Sequence, residues 1–260
     1  MNEMNNKINV YISIVSHNQQ DLIIENFKSL NLHSDKYEIN LCLIDNTNSS
    51  KLKDFAKEKN AIYHVNKIKK GFGENHNKAF EISKAQNDDI FIVCNPDIII
   101  EKEQLIGMID YFIERNNQIS SVTCYYDREK KVLSNPDRYF PCFFNFVFSI
   151  ALGKRFHYGS NANVTNPQWI SGEFMITRAS AFKKINGFDE DYFLYVEDID
   201  FCYRAKKANI PISHDKSHFI IHETQMASRK IFSKSFLMHL TSVYRFLRKH
   251  KIRCLLKKAP

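Results

Sequence analysis

No aspartate or glutamate follows Glu223 in this chain of 260 residues. Over that stretch stand Arg229, Lys230, Lys234, Arg245, Arg248, Lys249, Lys251, Arg253, Lys257 and Lys258, so the formal net charge of +8 belongs to the C-terminal tail. The rest holds 27 lysines and arginines against 29 acidic residues, and it shows no recognition module, so no nucleic-acid partner is expected. There is no Cys-x-x-Cys pair among Cys42, Cys94, Cys124, Cys142, Cys202 and Cys254. Their scatter excludes the usual zinc and disulfide frameworks and fits reduced, buried thiols in a cytoplasmic protein. The start, MNEMNNKINVYISIV, lacks the basic-then-apolar layout of an export signal. The longest apolar run, Cys142 to Leu152, is broken by Asn145 and Ser149 and is too short to cross a bilayer, so any membrane contact is expected to be peripheral. The ten histidines show no metal-binding spacing, and there is no repeat, low-complexity segment or clear linker.

What is present is an alternation of apolar strands and amphipathic helices. Strands are expected at 8–15, 39–44, 61–65 and 89–96, with helices at 19–30, 51–59, 74–84 and 101–115 between and after them. Further strands are expected at 121–126, 131–133 and 169–177, followed by helices at 179–184 and 197–207. This order predicts an α/β fold with a mainly parallel sheet flanked by helices. Ligands bind such sheets at the carboxyl ends of the strands, which brings Ser16, Asp45, Gly71 to Gly73 and Asn95 to Asp97 to one edge.

The stretch from Trp169 to Asp200 places Glu190, Asp191, Glu197, Asp198 and Asp200 among Phe188, Tyr192, Phe193, Tyr195 and Phe201. Rings need burial and take carboxylates in with them, which is how a carboxylate with a tuned pKa arises. The same pattern also suits a plain helix start with acids at its positive end. Asn95-Pro96-Asp97 ends an apolar run, so Asp97 can offer a carboxylate to a hard cation such as Mg²⁺, or simply belong to a turn. Gly71-Phe72-Gly73 matches neither a P-loop nor a dinucleotide fingerprint and suits a tight turn as well as a phosphate loop. His222 follows an apolar stretch and suits a structural or a ligating role.

Taken in order, Ser16-His-Asn18, Leu43-Ile-Asp-Asn46, Gly71-Phe-Gly73 with Asn77, Asn95-Pro-Asp97, Trp169-Ile-Ser-Gly172, Gly187-Phe-Asp-Glu190 and Phe193 to Asp200 with His222 resemble a family 2 glycosyltransferase of the GT-A fold. The likeness spans about residues 8 to 225 and is nearest to bacterial rhamnosyltransferases. It implies a donor-nucleotide site at Ser16, Asp45, Gly71, Phe72, Gly73, Asn77 and Asn95, with Asp45 on the pyrimidine base. It implies Mg²⁺ or Mn²⁺ on Asp97, the acid kept from an Asp-x-Asp motif whose first position is Asn95, with His222 completing the site. Asp198 matches the catalytic base with Glu197 beside it, and Trp169, Gly172, Glu173, Asp189 and Glu190 fall on the acceptor side. Glu173 departs from the small residue expected after Gly172.

The resemblance also implies transfer of a sugar, with rhamnose expected, from a dTDP- or UDP-sugar to a glycan on a polyprenyl diphosphate lipid, in O-antigen or capsule synthesis. Residues 1–225 are expected to form the transferase domain and 226–260 a basic helical tail. Apolar and basic residues alternate at helical spacing from Ile231 to His250, which suits an anionic membrane surface at the inner face of the cell membrane or a helix packed on the domain. Two other readings stand beside this one: a non-catalytic nucleotide- or glycan-binding scaffold at the membrane, and a nucleotidyltransferase, which would release pyrophosphate.

Overall fold

Strand β1 (Ile8–Ser16) lies at the centre of one half of the sheet, between β2 (Tyr37–Asp45) and β4 (Ile90–Cys94) and parallel to both. In this computed structural model, residues 7–134, 140, 167–223 and 234–251 are described. Most of the expected aromatic stretch 139–148, the apolar run 142–152, the first three residues of the expected tail helix and Cys254 lie outside them.

The chain leaves β1 through α1 (Gln20–Phe27) to β2, then through α2 (Ser50–Glu58) to β3 (Ile62–Val65), adding strands on one side. It then returns through α3 (Phe72–Ser83) to β4 on the other side of β1. This reversal opens a crevice at the carboxyl ends of the strands. The register pairs Ser16 with Asp45, and Asp45 with Val65, so these strands end level with one another.

Beyond β4 the sheet departs from the mainly parallel expectation. After β5 (Ile98–Ile99) and α4 (Lys102–Glu114) come β6 (Ile119–Tyr125), β7 (Leu133–Ser134) and β8 (Phe174–Arg178). Helices α5 (Ala179–Lys184) and α6 (Glu197–Lys207) lead to β9 (Ile212–His222). The order is β3-β2-β1-β4-β8-β6-β9-β5, with β7 beside β6. Strand β8 is antiparallel to β4 and β6, and β5 to β9, so this half is mixed. The strand expected from Trp169 starts only at Phe174, and just before it Gly172 N–H turns to the Asp198 carboxylate of α6.

Strand alternation fills a core on each face. Val10, Ile12, Ile14, Leu41 and Leu43 pack with Ile23, Phe27, Leu52, Leu105 and Met108 from α1, α2 and α4. Val15, Cys42, Ile44 and Val93 face Ala79, Phe182, Phe201 and Cys202 from α3, α5 and α6. One polar pair keys α3 onto β1: the buried Ser13 Oγ lies 2.7 Å from His76 Nδ1. Burial, with a further effect from His17, lowers the His76 pKa to about 3, so the ring is neutral and no charge enters the core.

The basic tail forms α7 (Lys234–Lys249), which packs on the same core through Val243 and Phe246. Its anchor is Asp200, whose side chain is fully buried. The Asp200 carboxylate accepts from Arg204 Nε at 2.6 Å, Lys249 Nζ at 3.0 Å and His250 Nε2 at 2.7 Å. Burial alone would raise the Asp200 pKa, but the Arg204 charge and these three donors hold it below its ordinary value. The His250 pKa is itself lowered by burial, and a neutral ring still donates its Nε2–H. Arg204 also donates to the carbonyls of Ile185 and Gly187, so one carboxylate joins α6, the 185–187 turn and α7. Gly187 has φ +59, and a Cβ there would stand 2.4 Å from Asn77 Oδ1, so the turn requires glycine.

Removing one partner from a buried charge cluster strands the others. Asp200→Ala is therefore expected to destabilise the fold by about 3–5 kcal/mol, measured by denaturant unfolding. A loss below about 1 kcal/mol would contradict the anchoring role, since that is the scale of an exposed ion pair.

Candidate active site

The carboxyl ends of β1, β2 and β3 build a polar shelf. Ser16 is buried, and its Oγ accepts from Gln19 N–H at 3.2 Å, closing the turn into α1. Asp45, also buried, accepts from Thr47 N–H and Oγ1–H at 2.7 and 2.8 Å, Ser49 N–H at 2.7 Å and Tyr63 O–H at 2.9 Å. Burial alone would raise its pKa, but these bonds hold it below the usual carboxylate range. The two oxygens are thus engaged by the turn before α2, which differs from the expectation of a carboxylate turned towards a base.

The neighbouring amides carry the shelf instead. Asn46 Nδ2 lies 3.0 Å from His17 Nδ1, and Asn46 Oδ1 accepts from Asn66 Nδ2–H at 2.8 Å and Lys70 N–H at 3.0 Å. Asn66 also donates to Asn75 Oδ1 at 2.6 Å, and Asn75 donates to the carbonyls of Lys70 and Gly71. His17, Asn46, Asn66 and Asn75 were not among the expected site residues. Their signal was positional, since Asn46 and Asn66 directly follow β2 and β3. The loop then passes so close to the segment before α6 that a Cβ on Gly71 would stand 2.5 Å from Phe193 O, which accepts from Phe72 N–H at 2.9 Å.

At the end of β4, Asn95-Pro96-Asp97 turns outward, and Asp97 keeps 24% of its side chain exposed. His222, the last residue of β9, places Nε2 3.0 Å from Asp97 Oδ2 and Nδ1 3.2 Å from Glu173 Oε2. The second contact is close but poorly aligned, and Nδ1 has no hydrogen-bond partner among the described residues. Cys124, Glu173 and His222 bring ligand atoms within 4.8 Å of one another. Burial alone would lower the His222 pKa, but Asp97, Cys124 and Glu173 push it up to about 12. Burial pushes the Cys124 thiol up, and its sulfur is a soft ligand that suits Zn²⁺ better than Mg²⁺ or Mn²⁺. Asp97 and His222 Nε2 offer the oxygen and imidazole nitrogen that a cation such as Mg²⁺ or Mn²⁺ would take.

Asp198 sits in the first turn of α6, half-buried, and its Oδ2 accepts from Gly172 N–H at 3.1 Å. Its Oδ1 lies 2.8 Å from Ile199 N. Gly172 and Glu173 are consecutive, so one peptide joins the Asp198 carboxylate to the Asp97–His222–Glu173 cluster. Trp169, behind them, is buried in the core. Glu197 is buried, and its Oε2 has no hydrogen-bond partner among the described residues. Burial first, and the Asp198 charge second, push its pKa up to about 8. Asp200 adds no free charge, because its cations neutralise it.

Three expected residues face elsewhere. Asn77 Nδ2 donates to Phe188 O at 2.8 Å and Glu190 Oε1 at 3.0 Å, while Phe188 N–H donates back to Asn77 Oδ1 at 2.8 Å. Asp189 pairs with Lys249. Asn77, Asp189 and Glu190 line an open groove of about 880 Å³ with Lys184, Arg204 and Lys249. Neither Asp97 nor Asp198 lines this groove.

A buried acid with a raised pKa binds its proton more tightly folded than unfolded, so stability falls as pH rises between about 4.5 and 8. Glu197→Gln is expected to remove that component and to stabilise the protein most at pH 8 and above, read from denaturant midpoints across the range. An unchanged pH slope would contradict the assignment.

A family model described as glycosyl transferase family 2 matches residues 11–236. Rhamnosyltransferase WbbL of Escherichia coli K12 is 32% identical over 250 residues, 94% of each chain. The N-acetylglucosaminyl-diphospho-decaprenol L-rhamnosyltransferase of Mycobacterium tuberculosis is 34% identical over 79 residues, 30% of this chain and 26% of that protein. Among solved structures, GalNAc-T7 with UDP, GalNAc and Mn²⁺ superposes with TM-score 0.65 at 10% identity, over 94% of this chain and 48% of its own, a likeness of fold. The chain belongs to glycosyltransferase family 2 and is an enzyme of the GT-A fold.

Proposed function

We propose that the enzyme is an inverting, metal-dependent rhamnosyltransferase that moves its sugar from a dTDP- or UDP-sugar to a lipid-linked glycan in bacterial surface polysaccharide (O-antigen or capsule) synthesis. Similarity to a rhamnosyltransferase over nearly the full length of both chains supports the sugar. The mycobacterial relative, named for a sugar on diphospho-decaprenol, supports the acceptor class. A GT-A neighbour holding UDP and Mn²⁺ supports the nucleotide and cation classes.

The observation that carries the chemistry is the division of labour between Glu197 and Asp198. Burial raises the Glu197 pKa to about 8, and Asp198 beside it is the more accessible carboxylate. Asp198 takes the proton of the acceptor hydroxyl as its oxygen attacks the anomeric carbon, help worth about 10²- to 10⁴-fold in rate. Its hydrogen bond to Gly172 N–H fixes the carboxylate for that task. Asp97 and His222 Nε2 would hold Mg²⁺ or Mn²⁺. Such a cation offsets the charge of the departing diphosphate. The donor nucleotide lies along Ser16, Asn46, Gly71 to Gly73 and Asn95, with Asp45 supporting the shelf from below.

The outer face of α7 suits the lipid. Leu237, Leu240 and Tyr244 are 60%, 37% and 66% exposed, and Arg245, Arg248 and Lys251 stand beside them. Apolar residues with a basic fringe bind an anionic bilayer surface peripherally. No helix among the described residues is long and apolar enough to cross a membrane.

Asp198→Asn is expected to lower transfer at least 10²-fold while binding of dTDP or UDP with Mn²⁺ stays within about twofold. Turnover like the wild type's would remove Asp198 from the role of base. Replacing Leu237, Leu240 and Tyr244 together by serine is expected to abolish cosedimentation with vesicles rich in phosphatidylglycerol; undiminished binding would exclude this face.

A further inference from the structure

The Asn-Pro-Asp turn offers one carboxylate where the related motif offers two, and Glu173 stands where a small residue was expected. The fold brings these departures together. Strands β4 and β8 are antiparallel neighbours, with Cys94 opposite Phe174, and Asn95 N–H donates to Glu173 O at 2.9 Å. The Glu173 side chain is 15% exposed and turns towards the buried His222 ring rather than outward to an acceptor. The ring is therefore set between two carboxylates, Nε2 towards Asp97 at 3.0 Å and Nδ1 towards Glu173 at 3.2 Å. As the ring stands, the buried Nδ1 has no hydrogen-bond partner among the described residues.

A histidine that ligates a metal through one ring nitrogen donates the N–H of the other to a carboxylate, carbonyl or water, which fixes its tautomer and orientation. We propose that Glu173 is the positioning residue of the cation site: its carboxylate receives the Nδ1–H of His222 and so presents Nε2 to the ion held with Asp97. The inference rests on the metal dependence proposed above. It moves Glu173 from the acceptor side to the support of the cation. It also supplies, one shell out, negative charge that Asn95 leaves out of the turn. The alternative centre, an ion among Cys124, Glu173 and Nδ1, would put a soft sulfur on the ion, where Mg²⁺ and Mn²⁺ favour oxygen ligands.

The test is Mn²⁺ affinity of the full-length protein, measured by the electron paramagnetic resonance of free Mn²⁺ with and without UDP. Glu173→Ala and the isosteric Glu173→Gln are each expected to weaken Mn²⁺ by about 10- to 100-fold. The acceptor KM and the unfolding midpoint of Glu173→Gln are expected to stay near the wild-type values. Mn²⁺ binding by Glu173→Gln as tight as the wild type's overturns the proposal, as does an effect confined to acceptor KM. Zn²⁺ binding that is lost in Cys124→Ala overturns it by placing the metal in the inner cluster. Asp97→Asn separates the two layers. If Asp97→Asn weakens Mn²⁺ and the Glu173 variants do not, only the role of Glu173 fails; if neither does, the metal reading fails and takes this proposal with it.

Discussion

The carboxylate of Asp200, withdrawn from solvent and shared by Arg204, Lys249 and His250, is the constraint on which the C-terminal half of the molecule depends. It lies in the same first turn of α6 as Glu197 and Asp198. Whatever fixes Asp200 therefore fixes the candidate base two residues away. Arg204 extends the constraint to the 185–187 turn, and α7 extends it to the segment before α6, where Ser242 Oγ–H donates to Leu194 O at 3.0 Å and His239 stacks on Tyr195. Tyr195 and Val196 both have positive φ, and for a β-branched valine that conformation is strained. Strain of this kind persists only where surrounding contacts over-determine the backbone. The docked tail helix supplies such contacts on one side and the Gly71-Phe72 loop on the other.

The site divides its electrostatics among neighbours. Glu197 takes the burial and with it the raised pKa, Asp200 takes the cations, and Asp198 is left half-exposed with two backbone amides near its oxygens. The Gly172-Glu173 pair then spans from the candidate base to the His222 ring. In the proposed mechanism, proton removal and support of the leaving diphosphate would be linked through this one loop at the start of β8.

Local signals in the sequence were strong where the physics is local. The apolar runs of β1, β2 and β4 and the spacing of α6 announced themselves by composition and period, and the ends of the parallel strands converge by the general geometry of such sheets. Side-chain direction was not legible. Asp45 and Asn77 sit in the expected segments, yet one holds its own turn and the other clasps Phe188 from 111 residues away. Glu173 stood out as a departure, but its meeting with His222 depends on an antiparallel insertion of β8 and a register shift in the β6–β9 pairing that no local pattern encodes. The tail showed amphipathicity, and only tertiary packing shows which face meets the body.

The positions of the cation and the donor diphosphate distinguish these assignments most directly. Anomalous scattering from Mn²⁺ in crystals grown with dTDP locates the ion without reference to any assay. The predicted result is a single strong peak in bonding contact with the Asp97 carboxylate and His222 Nε2, with the diphosphate beside it at the strand ends. A peak on Cys124 and the other face of the ring, or a diphosphate in the groove between α5, α6 and α7, would contradict it.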